Sequence, residues 1–186
     1  MTQVPNTAFT ARANGRLLRL ITEVEISPAF LPSETPSPGK KYQGLYDTGA
    51  THSAISPKVV QDLNLSSIGA RTVGVGGGVL PTTSHLVNIT LPNNMMFGMA
   101  SVAKMVIPGG VDVIIGMDIL GMGDFAVTHQ AGKTTFTFCA PSRKEIDFVA
   151  EVEAYNKSHP PAKNALCPCN SGKKYKSCHG RHSRRS

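Results

Sequence analysis

The chain has 186 residues, of which 40% are hydrophobic and 17% are charged, and it contains 18 glycines and 13 prolines. This length allows one ordinary domain with a small appendage, and the composition excludes a collagen-like or disordered chain. No apolar run approaches the roughly 18 residues that cross a membrane, and the amino end lacks a signal-peptide pattern. We therefore expect a cytoplasmic protein with no membrane partner.

The positive charge of the chain is confined to its carboxyl end. The formal net charge is +7, but residues 1–153 hold all 12 acidic residues and 11 of the 19 Lys and Arg, whereas residues 154–186 hold the other 8 and no acid. Three of the four cysteines lie in the same tail. In a cytosolic chain, clustered thiols indicate a metal site rather than disulfides. The sequence thus divides into a nearly neutral body and a cationic, Cys-rich tail.

The first half of the body has the pattern of β-strands separated by turns. Alternating apolar residues predict a strand over 17–27, the three prolines of 31–41 predict an exposed loop, and a second strand leads to Asp47. Pro57 at a first-turn position predicts a short helix. Residues 71–91 predict a long hairpin with a glycine-rich tip.

The second half continues this pattern up to a helix and a linker. Short strands are predicted over 96–108, 111–116, 125–129 and 133–138, and one brief helix is predicted over 117–121. The spacing of Ser142 and Glu145 is that of a capping box, which predicts a helix up to about Lys157 that closes the body or connects it to the tail. Pro160 and Pro161 predict a stiff linker. The fold class expected for the body is mainly β.

A candidate catalytic motif follows the second strand. Asp47, Thr48 and Gly49 stand at the end of an apolar strand. Taken alone, an Asp-Thr-Gly tripeptide is weak evidence, because Asp and Gly are common in turns. About 65 residues further on, however, residues 111–120 combine an apolar strand, a glycine and a short helix. The glycine-tipped hairpin lies between these two segments.

In this order, the parts resemble the retropepsin-like aspartic proteases over roughly residues 15–138. YDTGATHSAIS (46–56) resembles the active-site segment of gypsy-type retroelement proteases, and DVIIGMDIL (112–120) resembles the segment that supports it, with Ile119 where relatives often carry Trp. The resemblance implies a closed or partly open β-barrel with a flap hairpin and short helices, acting as a twofold dimer. It further implies that Thr48 bonds across the dimer and that Gly49 lets the backbone pass close to the catalytic carboxyl.

The chemistry of such an enzyme requires two carboxyl groups. One takes a proton from water while the other protonates the leaving nitrogen, and the pair shares one proton because neighbouring like charges cannot both ionise. The chain has a single Asp-Thr-Gly, so we expect the second Asp47 to come from another copy in a homodimer. The catalytic residues are then Asp47, Thr48 and Gly49, the substrate is a peptide or protein, and catalysis needs no cofactor.

The glycine-rich hairpin tip resembles the flap that closes over substrate in this family. The residues assigned to this flap are Gly74, Val75, Gly76, Gly77 and Gly78. The alternative is a flexible surface turn, since glycine serves many turns. A dinucleotide-binding fingerprint fits less well, because the third glycine is replaced by Val79 and no helix follows.

The tail carries four candidate metal ligands within thirteen positions. Cys167, Cys169, Cys178 and His179 form the pattern C-x-C-x8-C-H, and a Cys3His set satisfies a closed tetrahedral zinc site. A peptide this small cannot bury a core, so we expect structural zinc to drive its folding.

The same segment resembles the SEC-C motif from Cys167 to Gly180, with Asn170 where glycine is usual. Asn tolerates left-handed backbone geometry best among the other residues, so we expect the turn to form. The resemblance implies docking to a protein or a ribosome, and the basic tail suits an acidic or RNA-rich surface. Tyr175 alone does not make an array for base stacking, so sequence-specific nucleic-acid recognition is not expected.

The sequence thus predicts three parts: a protease domain over 1–138, a helix and linker over 139–163, and a zinc-binding SEC-C motif over 164–182. The predicted function is a homodimeric aspartic endopeptidase with a docking tail. The first alternative is a non-enzymatic dimeric adaptor or binding protein that uses the protease fold only to dimerise. The second, a nucleic-acid-binding protein, rests on the basic tail alone. Roles for His52 and Cys139 are left open.

Overall fold

The structure is a computed structural model that describes residues 7–31, 33–159 and 161–184. It divides into two compact units, Met1–Arg143 and Lys144–Ser186. Pro160 of the predicted linker lies outside the described residues. The finer division at residues 138 and 163 stays a prediction.

The first unit is built from strands with two short helices between them. The strands are β1 (Ala8–Ala13), β2 (Ile21–Pro28), β3 (Lys40–Tyr46), β4 (Ala54–Ile55), β5 (Gly69–Val75), β6 (Gly78–Thr90), β7 (Met96–Lys104), β8 (Val113–Ile115), β9 (Asp124–Thr128) and β10 (Thr134–Cys139). The helices are α1 (Pro57–Asp62) and α2 (Met117–Leu120), and the second unit contains α3 (Phe148–Ser158). The predicted mainly β fold with short helices is confirmed.

The larger sheet closes on itself. Its strand order is β2-β3-β8-β4-β7-β6-β5, and β2 also pairs with β6. Six strands therefore form a ring, and β5 extends outward from β6 as the second arm of a hairpin. A smaller sheet has the order β1-β10-β9, all antiparallel.

Apolar side chains that alternate along the strands of this ring form most of the core, and α1 and β10 also contribute to it. Its fully buried members include Ile26, Ile55, Val59, Val87, Ile89, Val102, Val113, Ile115 and Phe138. The β3–β8 pairing is parallel, with Tyr46 opposite Ile115. This pairing places the end of β3, and hence Asp47, beside the start of the segment that leads into α2.

Two sequence predictions about strands are corrected. The predicted strand over 17–27 begins only at Ile21, and Leu18 is 94% exposed although it continues the apolar alternation. The strand β1 was not predicted, because its partner β10 lies more than a hundred residues later in the chain. The exposed loop before β3, the short helix at Pro57 and the long hairpin are confirmed.

The predicted capping box at the start of α3 is wrong. Asp147 caps this helix, since its carboxylate accepts hydrogen bonds from the backbone N–H groups of Val149 (2.9 Å) and Ala150 (3.0 Å). Ser142 instead donates its hydroxyl to the carboxylate of Asp124 at 2.6 Å. The helix belongs to the second unit rather than to the body.

None of the helices in the described ranges has the length and apolar character that a membrane crossing requires.

Candidate active site and candidate metal site

Asp47 lies in a tight loop directly after β3. Its backbone N–H donates to the carbonyl of Ile115 at 3.0 Å, which continues the β3–β8 pairing. Its half-buried carboxylate accepts a hydrogen bond from the N–H of Gly49 at 2.8 Å. A Cβ added to Gly49 would lie 3.2 Å from Asp47 Oδ1. The glycine thus allows the close approach of backbone and carboxylate that the sequence predicted.

The segment after β8 supports this loop from the other side. The N–H of Met117 donates to the carbonyl of Ala50 at 2.8 Å. A Cβ on Gly116 would come within 2.7 Å of the carbonyl carbon of His52 and 2.9 Å of the oxygen of Ala50. Backbone atoms cannot yield at such distances, so only glycine fits at position 116. These contacts agree with the prediction that residues 112–120 support the loop that carries Asp47.

Asp47 and Thr48 line a groove of about 390 Å³ with mostly apolar walls. The other lining residues are Leu18, Arg19, Leu20, Leu45, Tyr46, Leu120, Phe125, Val127 and Phe136. Among these described lining residues, Asp47 supplies the single carboxylate. Leu18 and Val127 remain exposed at 94% and 38%. Asp47 therefore lies in a groove whose wall combines buried and exposed apolar side chains.

The assigned flap residues form the tip of the β5–β6 hairpin. Val75 pairs with Gly78, so Gly76 and Gly77 make the turn. Gly77 has a φ of +110° and Gly78 a φ of +151°, values that favour glycine. A Cβ added at any of the four tip glycines would meet no atom within 4 Å. At these four positions the tip therefore faces open space among the described residues.

The base of this hairpin is fixed by a buried histidine. His85 is 3% exposed, and its ring bonds the carbonyl of Ser66 and the hydroxyl of Thr83, both at 3.0 Å. The tautomer with hydrogen on Nδ1 donates to the Ser66 carbonyl and accepts from the Thr83 hydroxyl through Nε2. These hydrogen bonds hold the base of the hairpin in place, whereas its glycine tip faces open space.

His52 and Cys139 lie away from the Asp47 groove. His52 is exposed and lines a different groove of about 650 Å³, together with Met95 and Met122. Cys139 is half-buried on β10. Sequence reasoning did not single out Ser53, which is fully buried and bonded to Asp118. The available signal was the position of Ser53 directly before the apolar residues of β4.

The four candidate ligands of the tail come together in the structure. The three Sγ atoms and the nitrogen of His179 all lie within 4.8 Å of one another. Cys169 Sγ is 3.4 Å from that of Cys167 and 3.6 Å from that of Cys178. Nδ1 of His179 lies 3.3 Å from Cys167 Sγ and 3.4 Å from Cys178 Sγ. In a tetrahedral zinc site with Zn–S bonds of about 2.3 Å, sulfur atoms stand about 3.8 Å apart. The donor set therefore fits one zinc ion.

Local backbone geometry explains this convergence. The N–H of Cys167 donates to the carbonyl of Lys173 at 2.8 Å, which closes the loop that carries Cys169. Asn170 has a φ of +58°, so it adopts the left-handed geometry expected where glycine is usual. A Cβ on Gly180 would lie 2.8 Å from the carbonyl oxygen of Tyr175, so this turn requires glycine.

The thiol and imidazole groups also influence each other's protonation. Hydrogen bonds with the side chain and backbone of Ser171, followed by that with Cys167, lower the pKa of Cys169 to about 6. The neighbouring Cys178 raises the pKa of His179 through a hydrogen bond and its charge. The lowered pKa of Cys169 favours the thiolate form that binds metal, whereas the raised pKa of His179 favours the imidazolium, which must lose its proton before its nitrogen can bind a metal ion.

Comparison with known proteins agrees with both sites. Residues 37–119 match the family model described as aspartyl protease, and residues 164–181 match the SEC-C motif. The fold is similar to that of the EIAV protease complexed with the inhibitor HBY-793, with 25% identity over 55% of this chain and 86% of that chain and a TM-score of 0.39. It is also similar to a retropepsin-like aspartic protease from Rickettsia conorii, with 13% identity over 72% of this chain and 95% of that chain and a TM-score of 0.40. None of the curated proteins matches the chain.

The family models cover one segment in each unit of the chain. Residues 37–119 of the first unit match the aspartyl protease model, which supports the predicted resemblance to aspartic proteases. The chain combines this segment with a SEC-C motif whose Cys3His cluster is suited to a metal ion.

Proposed function

We propose that the protein is an aspartic endopeptidase whose catalytic dyad consists of Asp47 from each of two copies. The observation that carries this proposal is the Asp47 groove, in which the described residues provide one carboxylate where the chemistry needs two. A twofold axis beside Asp47 brings the two carboxyl groups together and covers the exposed apolar wall of the groove. Thr48 and Gly49 complete the catalytic segment of each copy.

The reaction needs no covalent intermediate. One carboxylate of the dyad takes a proton from water, and the water oxygen attacks the carbonyl carbon of the peptide. The other carboxyl, protonated at the start, stabilises the developing negative charge on the carbonyl oxygen. As the tetrahedral intermediate collapses, this second carboxyl donates its proton to the leaving nitrogen, so the dyad again holds one proton, which is the one taken from water. The hairpin with Gly74, Val75, Gly76, Gly77 and Gly78 folds over the substrate and excludes water.

Cleavage of a defined peptide mixture, analysed by mass spectrometry, tests this activity. We expect products cut at internal bonds, and we expect a statine-containing peptide to inhibit, because its hydroxyl imitates the tetrahedral intermediate. A protein that forms dimers yet leaves every peptide intact would instead favour the alternative of a non-enzymatic adaptor. The presence of Asp47 argues against that alternative, because two neighbouring carboxyl groups lower the stability of a dimer. A protein that used the fold only to dimerise would gain nothing from this residue.

Val127 tests the position of the dimer interface. It lines the Asp47 groove on β9, whose other edge carries no strand among the described residues. We expect Val127→Lys to shift the protein toward monomers and to lower cleavage at least about tenfold, because two copies would place like charges at the same interface. Sedimentation and peptide cleavage measure both effects.

Val106→Lys is the matched control, since Val106 is 78% exposed and lies outside the Asp47 groove. It should leave the dimer and the activity unchanged. A fully active dimer of the Val127→Lys variant would place the interface elsewhere.

For the tail we propose a structural zinc ion held by Cys167, Cys169, Cys178 and His179. Bound zinc supplies a rigid cross-link between the ends of this segment, and the surrounding residues present a cationic surface. Lys173, Lys174 and Lys176 are described in this segment, and residues 154–186 contain no acid. The proposed partner is an acidic protein surface or a ribosome, and the protein is proposed to act in the cytoplasm.

The two units should be separable. We expect a chain that ends at Arg143 to stay folded and to cleave short peptides at a rate within about twofold of the full chain, because all ten strands lie before this residue. Circular dichroism and a peptide assay check this. Loss of the β signal after this truncation would show that the protease depends on the second unit.

A further inference from the structure

The loop that carries Asp47 is held at three points by one segment. The backbone of Ile115 accepts from Asp47 N–H at 3.0 Å, and Met117 N–H donates to Ala50 at 2.8 Å. The third contact involves Ser53, which is fully buried at the end of the loop. Every third residue from position 47 to 53 therefore touches residues 115–118.

The contact at Ser53 is made by side chains as well as backbone. Its N–H donates to Asp118 Oδ2 at 2.9 Å, and its hydroxyl donates to Oδ1 at 2.7 Å. The same hydroxyl accepts from the N–H of Gly116 at 3.0 Å. Ionised acceptors make shorter and stronger hydrogen bonds than neutral ones, so this two-point contact is the firmest link between the loop and its support.

The Asp47 carboxylate itself has one described bond within the chain, from Gly49 N–H. Its direction therefore follows the backbone of the loop. We propose that Asp118 and Ser53 are positioning residues that hold the Asp47 loop in its reactive geometry. This inference rests on the proposed function. It adds Ser53 and Asp118, which lie outside the Asp-Thr-Gly motif, to the residues that cleavage requires.

The Asp118 carboxylate cannot be replaced by an amide. Three donors face it, because Oδ1 accepts from the hydroxyl of Ser53 and from the N–H of Ile119, and Oδ2 accepts from the N–H of Ser53. In either orientation, the NH₂ group of an asparagine would face a backbone N–H. We therefore expect Asp118→Asn to disturb the loop although it preserves the size of the side chain.

Steady-state cleavage by Ser53→Ala, Ser53→Thr and Asp118→Asn tests the proposal. We expect Ser53→Ala and Asp118→Asn to lower kcat about 10- to 100-fold, because a displacement of about 1 Å in a reacting group has an effect of this size. KM should stay within about twofold, since neither residue lies in the Asp47 groove. Ser53→Thr keeps a hydroxyl at this position, so we expect this variant to retain most of the wild-type kcat, in contrast to Ser53→Ala.

Ser56→Ala is the matched control. Ser56 donates its hydroxyl to Asp112 at 3.0 Å and caps α1, so its loss removes a similar Ser–Asp contact that does not hold the Asp47 loop. It should lower the melting temperature and leave kcat unchanged. Wild-type kcat in Ser53→Ala, or an equal loss of kcat in Ser56→Ala, would overturn the positioning role. If Asp47→Asn also cleaved normally, the proposed function itself would fail.

Discussion

Replacement of Asp47 by asparagine will abolish peptide cleavage and leave the folded protein intact. Asparagine has the same shape and its side-chain oxygen can still accept the hydrogen bond from Gly49 that the carboxylate accepts at 2.8 Å. It cannot accept a proton from water or share one with a second carboxyl, so we expect a loss of about 10³-fold or more. The initial rate on a peptide substrate measures this loss.

Asp147→Asn provides the matched control for this substitution. Asp147 lies in the second unit and caps α3, and asparagine is an equally good N-cap residue. This variant should therefore keep both its fold and its cleavage rate. Undiminished cleavage by Asp47→Asn would end the aspartic protease interpretation, whereas loss of activity in both variants would point to a general effect on the protein.

Replacement of Cys178 by serine will remove zinc from the tail and unfold it. Serine cannot supply a thiolate, and three remaining ligands leave the site open. Structural zinc in small motifs contributes apparent binding free energies of about 10–16 kcal/mol, which is folding free energy for a segment that has little core of its own. We expect zinc content to fall from about one ion per chain toward zero and residues 164–181 to become sensitive to proteases.

Cys139→Ser is the matched control, because Cys139 belongs to the first unit and lies outside the four-ligand cluster. It should keep about one zinc ion per chain. The Cys178→Ser variant should also cleave short peptides at the wild-type rate. Equal zinc in the Cys178→Ser variant and the wild type would show that the ligands are wrongly assigned.

The residues of both candidate sites could be proposed from short stretches of sequence and their order along the chain. Asp47, Thr48 and Gly49 are adjacent, and the glycine-tipped hairpin and residues 111–120 gave this tripeptide its meaning. The four ligands of the tail lie within thirteen positions, so short turns at Asn170 and Gly172 bring them together. In both cases the residues proposed to carry the chemistry lie close together in the sequence.

Contacts between distant parts of the chain could not be predicted in this way. The strand β1 exists because it pairs with β10, and Ser53 meets Asp118 across 65 positions. Apolar alternation predicted a strand over 17–27, but β2 begins at Ile21, and Leu18 is exposed beside the groove. The cap of α3 was predicted at Ser142, but this residue donates its hydroxyl to Asp124, and Asp147 caps the helix.

The central claim is that two copies share one dyad, and a mixing experiment tests it most directly. Equal amounts of wild type and Asp47→Asn are allowed to exchange subunits, and the cleavage rate is compared with that of the same total amount of wild type. Random pairing leaves about one quarter of the dimers with two Asp47 carboxyls, so a shared dyad predicts a rate of about one quarter. A mixture with Asp147→Asn should keep the full rate. A rate of about one half in the Asp47→Asn mixture would show that each chain acts alone and would contradict the account.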